Sequence, residues 1–149
     1  MDRIDHKIVA AMSSHSRIAI KDLAALVNMA PPSVAERLKR LEERGVIEGY
    51  TIIASPASLG YPLQAIVRIN PLPGAMRAVE RLIEDTPQII ECDRVTGEDC
   101  FHARLCCRSM DDLDRILEPF HELARTNTAL VKSQAVRRRL PPLADPHSA

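Results

Sequence analysis

The sequence predicts an α+β chain: a trio of short helices, then a βαββαβ half with the element order of a ferredoxin-like sandwich. Three observations predict it. In the first third, apolar residues recur at helical spacing, as Ile4, Ile8, Val9 and Met12 do. The stretch Ala54–Pro62 is rich in small and breaking residues and reads as a linker. Beyond it the apolar period switches repeatedly between two and helical, as strands and helices alternate.

The first helix opens with Asp2 and Asp5, carboxylates suited to the positive end of a helix dipole, and stops at Ser13-Ser14-His15-Ser16. A second helix from about Lys21 to Val27 buries Leu23, Ala24 and Val27, and Asn28-Met29-Ala30 makes a tight turn. Pro31-Pro32-Ser33 opens a third helix that ends at Gly45, a natural C-cap. Ser33 and Glu36 also have capping-box spacing, so the start lies either at Pro31 or two residues later. Val46 to Ile53 is β-branched and strand-like.

After the linker, Leu63 to Ile69 reads as a strand, and the next helix buries Met76, Val79, Leu82 and Ile83. Gln88 to Val95 is a second strand, and Thr96-Gly97-Glu98-Asp99 turns into a third. There Phe101, Ala103, Leu105 and Cys107 alternate with Cys100, His102, Arg104 and Cys106. A helix from Asp111 to Leu123 and a fourth strand from Thr128 to Arg139 complete the pattern. The implied domains are 1–53, a linker 54–62, an α+β domain 63–140, and a loose tail 141–149 that holds three prolines from Pro141 on. Two helices cover one face of a sheet, so the other face needs a partner, most simply a second copy.

Composition excludes several classes. Lys+Arg and Asp+Glu balance at 20 each, so any nucleic-acid contact must come from local charge. Aromatics are 3% with no Trp, which argues against stacking single-stranded bases. No apolar run approaches the roughly 20 residues of a membrane span. Met1 to Asp5 carries mixed charges with no apolar signal segment behind it. Cys92, Cys100, Cys106 and Cys107 crowd into one half, unlike a secreted disulfide framework, and imply a reduced cytoplasm.

The third helix carries the chemistry. At about 100° per residue, Val34, Leu38 and Leu41 form one buried stripe. Ser33, Arg37, Arg40 and Arg44 cluster about a quarter-turn away, an edge with no acid of its own; Glu36 and Glu43 fall on the far side. Guanidinium groups bond bidentately to guanine edges or phosphates and stay charged. By charge alone such a stripe is an ordinary solvated face. The tri-helical order, the short turn and the following strand point instead to a helix set into a major groove of duplex DNA.

Other readings are weaker. Cys92, Cys100, His102 and Cys106 invite a metal or redox role if they share a sheet face. Paired zinc spacing is missing, however, and strand cysteines are usually small buried hydrophobes. Neither a G-x-G-x-x-G nor a P-loop occurs, and no nucleophile, base and orienting group assemble, so no enzyme and no cofactor is expected. Arg137, Arg138 and Arg139 would alternate faces on the expected fourth strand, which favours solvent or an interface between copies. An assembly or sensing module that never regulates transcription is the rival reading.

Several runs resemble the leucine-responsive (Lrp/AsnC) regulators. They are Ile4-Asp5 with Lys7-Ile8, Asp22-Leu23-Ala24, Val34 to Glu43, and Gly45-Val46-Ile47-Glu48-Gly49-Tyr50. Leu59-Gly60, Glu91-Cys92 and Val95-Thr96-Gly97 continue the likeness, which extends from Asp2 to about Pro142. The resemblance implies a winged helix-turn-helix on an α+β domain that dimerises through its sheet and assembles further, often to octamers. It implies control of amino-acid or related genes, with a small effector such as an amino acid near the turn between the second and third strands. That turn is Thr96, Gly97, Glu98 and Asp99, with Cys100 beside it. Expected DNA contacts are Pro32, Ser33, Arg37, Arg40 and Arg44. Two kinds of departure from the family pattern stand out. Ala19 and Ala30 stand where capping serines are common, and Cys100-Phe101 stands where an aspartate is expected before an aromatic, Asp99 being one place earlier.

Overall fold

The computed structural model describes residues 1–143 and divides into two compact units. The first holds Met1–Ile52 together with residues 136–143; the second is Ile53–Ala135.

The first unit is built on three helices: α1 (Arg3–Ser14), α2 (Ile20–Val27) and α3 (Pro31–Glu43). Ile8, Leu23, Val34 and Leu41 are almost wholly buried at its centre. Each such side chain stabilises the fold by about 1.5–3 kcal/mol. Asn28 adopts a left-handed conformation at the end of α2 (φ 56°), and the amide of Met29 donates to the Ala24 carbonyl at 3.0 Å. That closure turns the chain within three residues and sets α3 against α2.

α3 begins at Pro31, the earlier of the two starts that the sequence allows, with Ala30 as N-cap and no side-chain cap. Proline is suited to that first position, because the N–H it lacks would have no helical partner there. The capping box offered by Ser33 and Glu36 is therefore not formed. At the other end Gly45 (φ 67°) closes the helix: its amide donates to the Glu42 carbonyl and that of Val46 to the Leu41 carbonyl, both at 2.9 Å. This paired closure needs a left-handed residue, which glycine supplies without Cβ strain.

The strand expected over Val46 to Ile53 is not formed. A strand needs a ladder partner, and among the described residues this segment has none; Ile52 and Ile53 are 86% and 88% exposed.

The second unit opens with a 3₁₀ turn at Ala57–Leu59, inside the expected linker. It continues with β1 (Leu63–Pro71), α4 (Met76–Glu84), β2 (Ile89–Arg94), β3 (Phe101–Cys107), α5 (Met110–Leu117) and β4 (Ala124–Leu130). The strands pair antiparallel in the order β2-β3-β1-β4, a ferredoxin-like sheet. Val67 and Ile69 of β1 and Phe101, Ala103 and Leu105 of β3 face a core closed by Val79, Ile83, Leu113, Leu117 and Phe120. Ile66, Arg68 and His102 alternate onto the opposite, open face.

Two boundaries differ from the sequence pattern. The helix expected from Asp111 to Leu123 stops at Leu117 and tightens into a 3₁₀ turn at Glu118–Phe120, because Pro119 has no N–H and its ring crowds the preceding turn. The turn still delivers Phe120 to the core. The fourth strand lies at Ala124–Leu130 rather than Thr128–Arg139. Its partner decides this: β1 starts at Leu63, the Val131 amide donates to the Gln64 carbonyl at 2.8 Å, and no edge remains for residues beyond it. Residues 136–140, expected within the second domain, group with the first unit. Of the tail expected at 141–149, residues 144–149 lie outside the described residues.

Candidate nucleic-acid interface

The residues expected to meet DNA lie along α3, the second helix of a helix-turn-helix formed with α2. Pro32 is exposed in the first turn and Ser33 half-buried beside it. Arg40 and Arg44 are exposed, and among the described residues neither has an ion-pair partner. Lys39, also exposed, leans on Glu43 one turn later at 3.6 Å.

Arg37 is placed differently. Its side chain is 18% exposed, and Nη1 donates to Asp2 Oδ2 at 2.6 Å and to Asp5 Oδ1 at 2.8 Å. The same carboxylates cap α1. Asp2 Oδ1 accepts from the amides of Ile4 and Asp5, both at 2.8 Å, and Asp5 Oδ2 accepts from the Asp2 amide at 3.1 Å. Each carboxylate thus gives one oxygen to its own helix and the other to α3. The Asp5 amide first, then the Arg37 guanidinium, hold the Asp2 carboxyl below its ordinary value near 3.8, and the two carboxylates push Arg37 further up. The arginine edge of α3 therefore does have acid beside it, contributed by α1. This was invisible from the helix alone, because 35 and 32 residues separate Arg37 from its partners.

Arg37, Arg40 and Arg44 share one surface, as their spacing predicts. With Asp2, Asp5 and Leu41 they line a cleft of about 280 Å³ between the start of α1 and the later turns of α3. Tyr50 closes over the other side of α3, its hydroxyl donating to Glu42 Oε1 at 2.6 Å. Burial of that hydroxyl, then the Glu42 carboxylate, push the phenol up to about 12.

The expected effector turn lies between β2 and β3. Thr96, Gly97 and Glu98 are exposed, while Asp99 and Cys100 are half-buried. Gly97 has φ 128°, a conformation open to glycine and strained for other residues. The Val95 amide donates to the Cys100 carbonyl at 2.8 Å, closing the loop, and Cys100 packs on the sheet's core. Asp99 meets Arg68 of the open face at 3.2 Å, so the carboxylate one place early is engaged within the chain.

The cysteines do not gather on one face. Cys92 pairs in register with Ala103 and packs with Cys100 against the core, whereas His102 and Cys106 alternate to the other side of β3. All four are free thiols, and burial pushes those of Cys92, Cys106 and Cys107 up, away from the reactive thiolate. No cluster of metal-ligating side chains occurs among the described residues.

A helix-turn-helix whose second helix exposes guanidinium groups without ion-pair partners among the described residues, in a chain that also holds a ferredoxin-like unit, defines a DNA-binding regulator by class. Comparison with known proteins agrees. Residues 1–48 match the sequence model of winged helix-turn-helix DNA-binding domains, and residues 64–141 that of the Lrp/AsnC ligand binding domain. The chain is 27% identical over 134 residues to the HTH-type transcriptional regulator LrpC of Bacillus subtilis, covering 90% of this chain and 93% of that one. It is 30% identical over 138 residues to the regulator AldR of Mycolicibacterium smegmatis, covering 88% and 81%. The solved structure of LrpC superposes with a TM-score of 0.87 at 26% identity, over 93% of this chain and 99% of that one. A Neisseria meningitidis regulator solved with L-Met shares the fold, with a TM-score of 0.86 at 22% identity over 95% and 96%. The chain belongs to the Lrp/AsnC family. It is a helix-turn-helix transcription regulator with a ligand-binding domain, and not an enzyme.

Proposed function

We propose that this regulator reads duplex DNA with α3, using Arg40 and Arg44 on base edges or phosphates, Ser33 beside them and Pro32 close to the DNA backbone. The carrying observation is that Arg40 and Arg44 stand exposed on the second helix of the motif and, among the described residues, have no ion-pair partner. Arg37, expected to join them, holds α3 to α1 instead. The protein works as a homodimer or a ring of dimers, up to an octamer, joined through the open sheet face. Such symmetry favours inverted half-sites separated by whole turns of about 10 bp. A small effector such as an amino acid, by analogy with the L-Met complex of the Neisseria protein, acts through the turn Thr96–Cys100, and the targets are amino-acid or related metabolic genes. Its setting is the cytoplasm; no described helix is long and apolar enough to cross a membrane.

The test is a titration of operator fragments, selected from a random duplex pool, with the wild type and Arg40→Ala. A base-contacting arginine is worth about 1–3 kcal/mol, so the variant should bind roughly 5- to 150-fold more weakly with its assembly unchanged. Equal binding by the two proteins would remove Arg40 from the interface.

A further inference from the structure

The run Arg137-Arg138-Arg139 has no part in the fold as described. All three side chains are exposed, and among the described residues none forms an ion pair. Placed on a strand, they would alternate between faces, and that objection no longer stands. From Val131 to Leu143 the described residues form neither helix nor strand, so nothing fixes the three guanidinium groups to opposite sides. From Val131 to Leu143 the sequence has four cations, Lys132 being the fourth, and no acid.

Position gives the run its meaning. Residues 136–143 group with the helix-turn-helix unit and not with the sheet that precedes them. Residues 1–52 of that unit carry eight Lys/Arg against seven Asp/Glu, close to neutral, and the three arginines raise the cations to eleven. The unit that carries α3 thus draws most of its net positive charge from the far end of the chain.

We infer that Arg137, Arg138 and Arg139 form a second DNA contact, on phosphates flanking the groove that α3 enters. The reading rests on α3 being the DNA-reading helix and adds a separate anchor to it. Phosphates fit better than base edges, because an irregular segment has no rigid axis to enter a groove, while exposed guanidiniums satisfy a backbone whose charge is the same at every sequence.

The test compares the wild type, a triple variant (Arg137→Gln, Arg138→Gln, Arg139→Gln) and the matching triple lysine variant. Each is titrated with a mixed-sequence duplex of about 40 bp across roughly 50–200 mM salt. Each phosphate neutralised adds about 0.9 to the slope of log affinity against log salt. The glutamine variant should therefore lose about 1–3 from that slope per chain, with the lysine variant close to wild type and the oligomer size constant. Unchanged slopes for the glutamine variant would overturn the second contact and leave the α3 reading standing. An altered oligomer size, or a lysine variant as impaired as the glutamine one, would overturn it too, by assigning the run to assembly or local structure. Wild-type protein without salt-sensitive duplex binding would instead defeat the α3 reading itself.

Discussion

Arg37 and Arg40 are three residues apart on one helix edge, yet their guanidinium groups have different work. Arg37 is largely enclosed by Asp2 and Asp5, whereas Arg40 meets solvent. Arg37→Ala would leave two carboxylates at the start of α1 without their cation. Their cap amides remain, so the loss should be about 1–3 kcal/mol, read as a lower unfolding temperature. The salt slope of DNA binding should stay as in the wild type, because a guanidinium already neutralised by carboxylates releases no counterion. Arg40→Ala should lower it by about 1. A fall of that size for Arg37→Ala would return it to the interface. The pair also responds to acid. The Asp2 carboxyl is held below its ordinary value near 3.8, so it contributes stability above that pH, and the contribution is lost as pH falls through the lower folded-state value. Acid unfolding of the wild type should accordingly steepen below about pH 4 relative to Arg37→Ala.

At the scale of elements, the ends of α3 show what local sequence decides. Gly45 holds φ 67° in the helix closure, and Gly45→Ala meets no neighbouring atom yet places a Cβ in the left-handed region. A cost of about 1–2 kcal/mol follows from backbone strain alone. The start of the helix offers the opposite change. Ala30 is extended (φ −70°, ψ 141°) and provides no side-chain cap. Ala30→Ser should raise stability by about 0.5–1 kcal/mol, and thermal melts of the two variants should move in opposite directions. The Gly45 closure was legible in the sequence and the start was narrowed to Pro31 or two residues later, because capping and closure involve neighbours within about five residues. The helix stripes of Val34, Leu38 and Leu41 and the alternation of Phe101, Ala103 and Leu105 were legible for the same reason. What local pattern could not supply was partners distant in the chain. β4 stops where its β1 neighbour stops, Val46 to Ile53 meets no strand among the described residues, and Arg37 finds its acids more than thirty residues back. The turn proposed for an effector was singled out by resemblance alone, and the Asp99–Arg68 pair there belongs to the sheet rather than to the loop's own sequence.

For the whole molecule the open face of the sheet is decisive. The helices cover one side, and Ile66 stands on the other at 38% exposure, opposite Arg104 and Ala129 in register. Arg68 and Arg104 flank it with their charge partly met by Asp99 and Glu91, so the face combines an apolar centre with a compensated polar rim. If two copies join there, Ile66→Asp places two extra charges at the centre of the contact while leaving the monomer's core untouched. Sedimentation should then show the variant shifted from dimer or larger to monomer at concentrations where the wild type stays assembled. The thermal stability of the isolated unit should change little, because Ile66 lies outside the buried core. DNA binding supplies the second readout. Two α3 helices on one dimer make the second half-site an intramolecular target, and losing that advantage weakens binding to an inverted repeat by about 10²-fold or more, while a single half-site is bound as before. A variant that sediments with the wild type and keeps its preference for the repeat would show that the copies meet elsewhere.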